Sequence, residues 1–331
     1  MAITIRDVAK KAGVAPSTVS RVVANSPSIS EKTKKKVRQV MDELNYYPNV
    51  NAQGLASSRS KTFGLILPPA TDAFYQNPFF PTVLRGINYS MSKNDYSILL
   101  SAGQTQEQRL NHLKKIVYGK QVEGLIFLYA SKEDPLLTFA QEVGCPSVVI
   151  GSPESTKVNF VDNDNETLGY LATRYLINEG SKKIAYVGGD IEQFFISDRL
   201  TGYKKALKEN NLEVKEEAIF NDFMFLPLDG YDLIMNNDQF ENFDALVIAD
   251  ELVANGIRQA LNEKGWSHIK TISFSAYKHL LDNLVPGEAY VNLNSHLLGS
   301  RAVDILFDVI KETNAKNKRF MNEYIEGELV T

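Results

Sequence analysis

Lysine and arginine dominate the chemistry available at the start of this 331-residue sequence. Residues 1–60 carry ten Lys and Arg against four Asp and Glu, net +6, whereas the remainder is net −10. Clustered cations suit a polyanion, because each phosphate neutralised by Lys or Arg releases condensed counterions. A solvated charged helix face is the bland alternative for such a run. Inside the basic segment, Ser17, Thr18 and Arg21 stand early in a helical pattern. An arginine there can donate two parallel hydrogen bonds to guanine O6 and N7, a contact that discriminates a base pair by ~1–3 kcal/mol. Ser17 and Thr18 supply hydroxyls for bases or phosphates.

The rest of the chain offers little for catalysis. The four histidines, His112, His268, His279 and His296, lack metal-ligand spacing, and there is no G-x-x-x-x-G-K-[ST], G-x-G-x-x-G or G-x-S-x-G pattern. No enzyme, metal or cofactor is expected. Cys145 is the sole cysteine, which excludes an internal disulfide or cysteine-rich zinc site and fits a reducing compartment. No apolar run approaches the ~18–20 residues that cross a bilayer, and MAITIRDVAKKAG has no apolar stretch after its charges. The expectation is a cytoplasmic protein without a membrane partner.

Three short helices must position the basic residues. Apolar positions Ile5, Val8, Ala9 and Ala12, then Val14, Val19, Val22 and Val23, then Val37, Val40, Met41 and Leu44 follow helical spacing. Gly13 suits the tight turn between the first two helices, and Pro16 suits a first-turn position. Ser30, three residues before Thr33, can cap the third. Helix, turn and helix match the geometry in which a second helix enters the major groove and the first crosses the backbone. A small-residue stretch after Pro48 reads as a linker. From Phe63 onward strands and helices alternate, which implies parallel sheets in two successive α/β units. Ligands of such sheets bind beyond the carboxyl ends of the strands.

The run TIRDVAKKAGVAPSTVSRVVANSPSISEKTKKKVRQVMDELNYYPNVNAQGLASS resembles the N-terminus of the LacI/GalR family of transcription regulators. The order of the later α/β segments agrees along nearly the whole chain. The resemblance implies a helix-turn-helix head over 1–47, a hinge helix and linker over 48–60, and a two-lobed core over 61–331 like a periplasmic binding protein. Lobe one is expected over about 61–160 and 293–321, and lobe two over about 161–292 and 322–331, with crossings near 160–162, 290–293 and 320–323. It further implies a homodimer on double-stranded operator DNA. The head residues carried over are Thr4, Ser17, Thr18, Arg21 and Asn25. In the hinge they are Ala52 and Leu55, the leucine falling where the family wedges one into the minor groove, which unstacks bases and bends DNA. Ala15 replaces a frequent serine cap, and Gln53 and Gly54 replace the commoner hinge residues.

In the core the resemblance implies a sugar effector held by Arg199 (in SDRLTGYKKAL), Asp164 and Asp250 (in VIADELVANG), with Phe225 stacking on it. Ser275 stands where the family commonly has Asp, so a carboxylate acceptor is expected to be missing there. The loop DAFYQNPFFP, residues 72–81, is aromatic around Asn77 and Pro78. Aromatic faces beside amides suit a pyranose. Phe74, Tyr75 and Tyr129 are the candidates for the cleft, and at least one of Phe79 and Phe80 is expected to pack structurally. This loop, with VYGKQVEGLIFLYASKEDP and FVDNDN, is similar to maltose-operon repressors of low-GC Gram-positive bacteria. That closer likeness implies a malto-oligosaccharide effector, with induction of a repressor as the family expectation and corepression left open. The alternative within the family is a catabolite-type regulator answering to a phosphorylated protein coregulator, or to another sugar.

Overall fold

The structure, a computed structural model, describes residues 3–47, 60–68, 75–101, 103–129, 134–153, 157–221, 225–276, 289–312 and 319–331. The chain divides into two compact units, Met1–Lys61 and Thr62–Thr331.

The first unit holds α1 (Ile5–Ala12), α2 (Pro16–Val23) and α3 (Glu31–Glu43). Thr4 precedes α1, and its N–H and hydroxyl both donate to the Asp7 carboxylate, at 2.9 and 2.7 Å. Gly13 ends α1 in the left-handed region at φ 64°, where a side chain would be strained. Ala15 caps α2 with extended backbone and no side-chain bond, and Pro16 occupies the first helical position. Ser30 accepts from the Thr33 N–H at 3.2 Å, which satisfies one orphan donor of α3. Val8, Ala12, Val19, Val22 and Val37 form the shared core.

The second unit contains two six-stranded sheets. The first comprises β1 (Thr62–Ile66), β2 (Ser97–Ser101), β3 (Gly124–Phe127), β4 (Ser147–Ile150), β5 (Phe160–Asn163) and β11 (Asn322–Ile325), in the order β11-β5-β4-β3-β1-β2 and wholly parallel. Leu65, Ile126, Val148 and Val161 face α4 (Phe79–Lys93) and α11 (Ser295–Glu312). Ile66, Leu125, Phe127 and Val149 face α5 (Gln106–Tyr118) and α6 (Pro135–Glu142) on the other side. Both faces are therefore covered, as a parallel sheet requires.

The second sheet runs β12-β10-β9-β8-β6-β7: β6 (Ile184–Val187), β7 (Ile219–Phe220), β8 (Ala245–Ile248), β9 (Lys270–Ser275), β10 (Tyr290–Asn292) and β12 (Glu328–Val330). Only β12 is antiparallel to its neighbour. It is flanked by α7 (Asn165–Asn178), α8 (Phe194–Glu209), α9 (Pro227–Met235) and α10 (Glu251–Glu263).

The first and third chain crossings lie a few residues later than expected from sequence, and the second falls within the expected 290–293. β5 stays in the first sheet to Asn163, β10 holds the second to Asn292, and β11 keeps 322–325 in the first sheet. The strand register is the cause: Asn163 pairs with Ile325, so lobe one retains 161–163 and 322–325. Phe79 packs against the cores of both lobes, and Phe80 meets it edge-on at 5.4 Å. Among the described residues no helix is long and apolar enough to cross a membrane.

Candidate functional site

In the head, the packing of α2 decides which residues are left to read a ligand. Val19 and Val22 are buried, which leaves Ser17 and Arg21, one helical turn apart, exposed; Thr18 is half-buried. Thr4 and Asn25 are also exposed. Asn25 follows α2 at φ 50° and accepts a hydrogen bond from Arg38 of α3 at 2.9 Å, so its amide is braced by the third helix. The expected hinge, with Ala52 and Leu55, lies outside the described residues, as does Phe74.

In the core, the candidate residues gather at the carboxyl ends of the second sheet's strands. Arg199, on the second turn of α8, is buried. Its Nε donates to Asn165 Oδ1 at 2.9 Å and its Nη1 to the Ala249 carbonyl at 2.7 Å. The guanidinium lies 4.2 Å from the Phe274 ring centroid and 5.0 Å from that of Phe195. Phe225 stacks on Phe195 in turn, at 6.1 Å, from a left-handed backbone at φ 60°. Burial lowers the Arg199 pKa to about 10, which still leaves it charged at neutral pH. Among the described residues its Nη2 has no hydrogen-bond partner.

Asp250 caps α10, accepting from Leu252 N–H at 2.8 Å and Val253 N–H at 3.3 Å. Its other oxygen accepts from the Asn77 side chain at 2.8 Å, a bond that joins the two lobes directly. Burial pushes its pKa up to about 6, against these hydrogen bonds and Arg199, which lower it. Asp162 behaves alike, raised to about 6 by burial while Asn163 N–H, Ser152 N–H and Arg199 favour its charge. The Ser275 hydroxyl is fully buried and donates to Glu251 at 2.8 Å. A carboxylate therefore does reach this position, but from α10.

Other candidates stand differently. Asp164 is exposed and caps α7 through Thr167 N–H and hydroxyl, at 3.0 and 2.7 Å. The Tyr129 hydroxyl accepts from Arg109 at 2.6 Å and is hydrogen-bonded to Asp134, and burial raises its pKa. Its hydroxyl is thus engaged within lobe one, with only the ring left for a ligand. Tyr75 is 65% exposed. The assembled site offers one guanidinium N–H pair, carboxylate acceptors and aromatic faces, the set a neutral polyol uses. Among the described residues no group of three His, Cys, Asp or Glu could hold a metal.

Residues 4–49 match the profile of bacterial regulatory proteins of the lacI family, and residues 60–324 that of the periplasmic binding proteins and sugar binding domain of LacI family. The chain belongs to the LacI family. A transcriptional regulator of Streptococcus pneumoniae, MalR, is 43% identical over 322 residues, covering 96% of each chain. The Lac repressor dimer bound to operator and the anti-inducer ONPF shares the fold, with a TM-score of 0.83 at 24% identity over 100% of this chain and 98% of that one. The regulator CelR in complex with cellobiose superposes with a TM-score of 0.73 at 25% identity, over 99% of this chain and 98% of that one. This LacI-family chain is accordingly a DNA-binding transcription regulator, and its core has the two-lobed sugar-binding-domain architecture.

Several residues of the LacI-family core escaped the reading by sequence. Asn165 and Phe195 touch Arg199, Glu251 touches Ser275, Asp162 accepts from Asn165, and Asn77 spans the lobes. In FVDNDN, four consecutive polar residues across the end of a strand are a signal of their own, since buried polar groups need specific partners.

Proposed function

We propose that the protein is a cytoplasmic homodimeric repressor of maltodextrin-utilisation genes, released from its operator by a malto-oligosaccharide. Arg199 carries this reading. Its guanidinium lies against the Phe274 and Phe195 rings, near Asp250, with the Nη2 pair and one Nη1 proton left for ligand oxygens. The name MalR on a 43% identical relative supports the sugar class. Arg199 and Asp250 bind the ligand's hydroxyls, while Phe225, Phe74, Tyr75 and the Tyr129 ring pack its apolar faces. Ser275, with Glu251, and Asp164 complete the polar lining. On DNA, Ser17, Thr18 and Arg21 read bases, Thr4 and Asn25 fix the head on the backbone, and Ala52 and Leu55 enter the minor groove.

The test is thermal unfolding of the full chain against maltose, maltotriose, longer maltodextrins, other sugars and purines. A ligand that binds the native state at 100 times its Kd adds ~2.7 kcal/mol of stability. Selective stabilisation by malto-oligosaccharides is expected. No shift with any small molecule would overturn the reading and favour a protein coregulator instead.

A further inference from the structure

The three chain crossings between the lobes meet at one side chain. Asn163 ends β5 on the first crossing and is 3% exposed. Its amide Nδ2 donates to the Leu293 carbonyl on the second crossing at 3.1 Å and to the Ile325 carbonyl on the third at 2.9 Å. Both amide protons are spent, one on each of the other crossings. The backbone carbonyl of the same residue accepts from Asn165 Nδ2 at 3.2 Å, and Asn165 Oδ1 accepts from Arg199 Nε at 2.9 Å. The same Asn165 Nδ2 also donates to Asp162 Oδ2, at 3.2 Å. Hydrogen bonds thus run from the guanidinium in the cleft through the Asn165 side chain to the Asn163 backbone, and the Asn163 side chain carries the link on to the other two crossings.

Two further asparagines brace the same place. Asn294, left-handed at φ 50°, receives the Asn292 amide at 2.9 Å and donates to the Glu326 carbonyl at 2.8 Å. The second and third crossings are thereby tied to each other as well as to the first.

We infer that Asn163 is a positioning residue of the effector response: it keys the three crossings together and, through Asn165, links their geometry to the orientation of Arg199. Resting on the proposed role of Arg199 in effector binding, this assigns the route by which cleft occupancy reaches the hinge between the lobes. Truncating the amide leaves two buried carbonyls without this donor, which loosens the strand ends at the crossings while the interiors of both sheets stay in place.

Hydrogen–deuterium exchange of the full chain tests this, using Asn163→Ala, Asn163→Leu and Asn165→Ala beside the unaltered protein. In the sugar-free protein, both Asn163 variants are expected to exchange roughly tenfold faster in 290–294 and 323–327, while 124–127 and 245–248 keep their protection. Unchanged exchange at the crossings, or an equal rise throughout both lobes, would overturn the assignment. With maltotriose at concentrations that saturate each protein, the unaltered protein is expected to gain protection at the two crossing segments, and the Asn163 and Asn165 variants to lose that gain. Retention of the gain in all variants would overturn the link to Arg199. Absence of any maltotriose response in the unaltered protein would count against the sugar reading instead, and the keying role would still be decided by the sugar-free comparison.

Discussion

Arg199 commits two of its five N–H donors to its own lobe, which leaves the Nη2 pair and one Nη1 proton for a ligand. Lysine cannot satisfy both Asn165 and Ala249 while also reaching a ligand. Arg199→Lys is therefore expected to weaken sugar binding by roughly ten- to a hundredfold, since hydrogen bonds to charged groups are worth ~1.5–3 kcal/mol, with operator binding retained in the absence of sugar. Isothermal titration with maltotriose beside a DNA-binding assay separates the two. The carboxylates near it titrate in an unusual window. Asp250 is raised to about 6 from 3.8, so the folded state holds its proton more tightly than the unfolded chain. The stability this confers is complete below about pH 4 and is lost as the pH rises through 6. Asp250→Asn has no such group. Relative to this variant, the natural protein is expected to lose ~1–3 kcal/mol between pH 4.5 and 7.5, allowing for partial solvent screening. Urea unfolding of both proteins at the two pH values checks this, and a pH-independent difference would refute it.

At the scale of elements, the head and the pair α7–α8 decide where the functional side chains point. Ala15 gives α2 no side-chain cap. Ala15→Ser is expected to stabilise the head by ~1 kcal/mol, read as slower amide exchange in 16–23. The helices α7 and α8, which carry Asn165 and Arg199, approach so closely that a Cβ on Gly202 would overlap the Glu166 carbonyl. Gly202→Ala is expected to lower core stability by ~1–3 kcal/mol through forced separation, measured by urea unfolding. Much of this was legible beforehand. The head's helical spacing, its Gly13 turn and its Ser30 cap are local signals, and long helices such as α8 and α10 announce themselves by period. The crossings are not local. β5 and β10 have four and three residues and each ends in a buried Asn, so no alternation marks them, and only pairing with β11 and β12 shows which lobe keeps them. The candidate site was partly legible for the same reason. Arg199 and Asp250 stand in recognisable runs, whereas Glu251 reads as an ordinary helix-start acid until Ser275 is seen to donate to it. Asp162 is buried inside β5, between the neighbouring strands, which the sequence alone does not show.

At the scale of the molecule, the lobes already touch through Asn77 and Asp250, and Phe79 packs on both cores. A ligand between them must exchange with or add to those contacts, and it shifts the lobes only by its differential affinity for their arrangements. The basic head and acidic core divide the labour: net +6 over residues 1–60 meets phosphates, and the remainder repels them. The most direct measurement is a titration of the full chain against a DNA fragment it has itself enriched from a random pool, with and without saturating maltotriose. The expected result is preference for that fragment over scrambled DNA and a weakening by ~5- to 150-fold with the sugar. Equal affinity for scrambled DNA, or an operator affinity that maltotriose leaves unchanged, would contradict a sugar-released repressor.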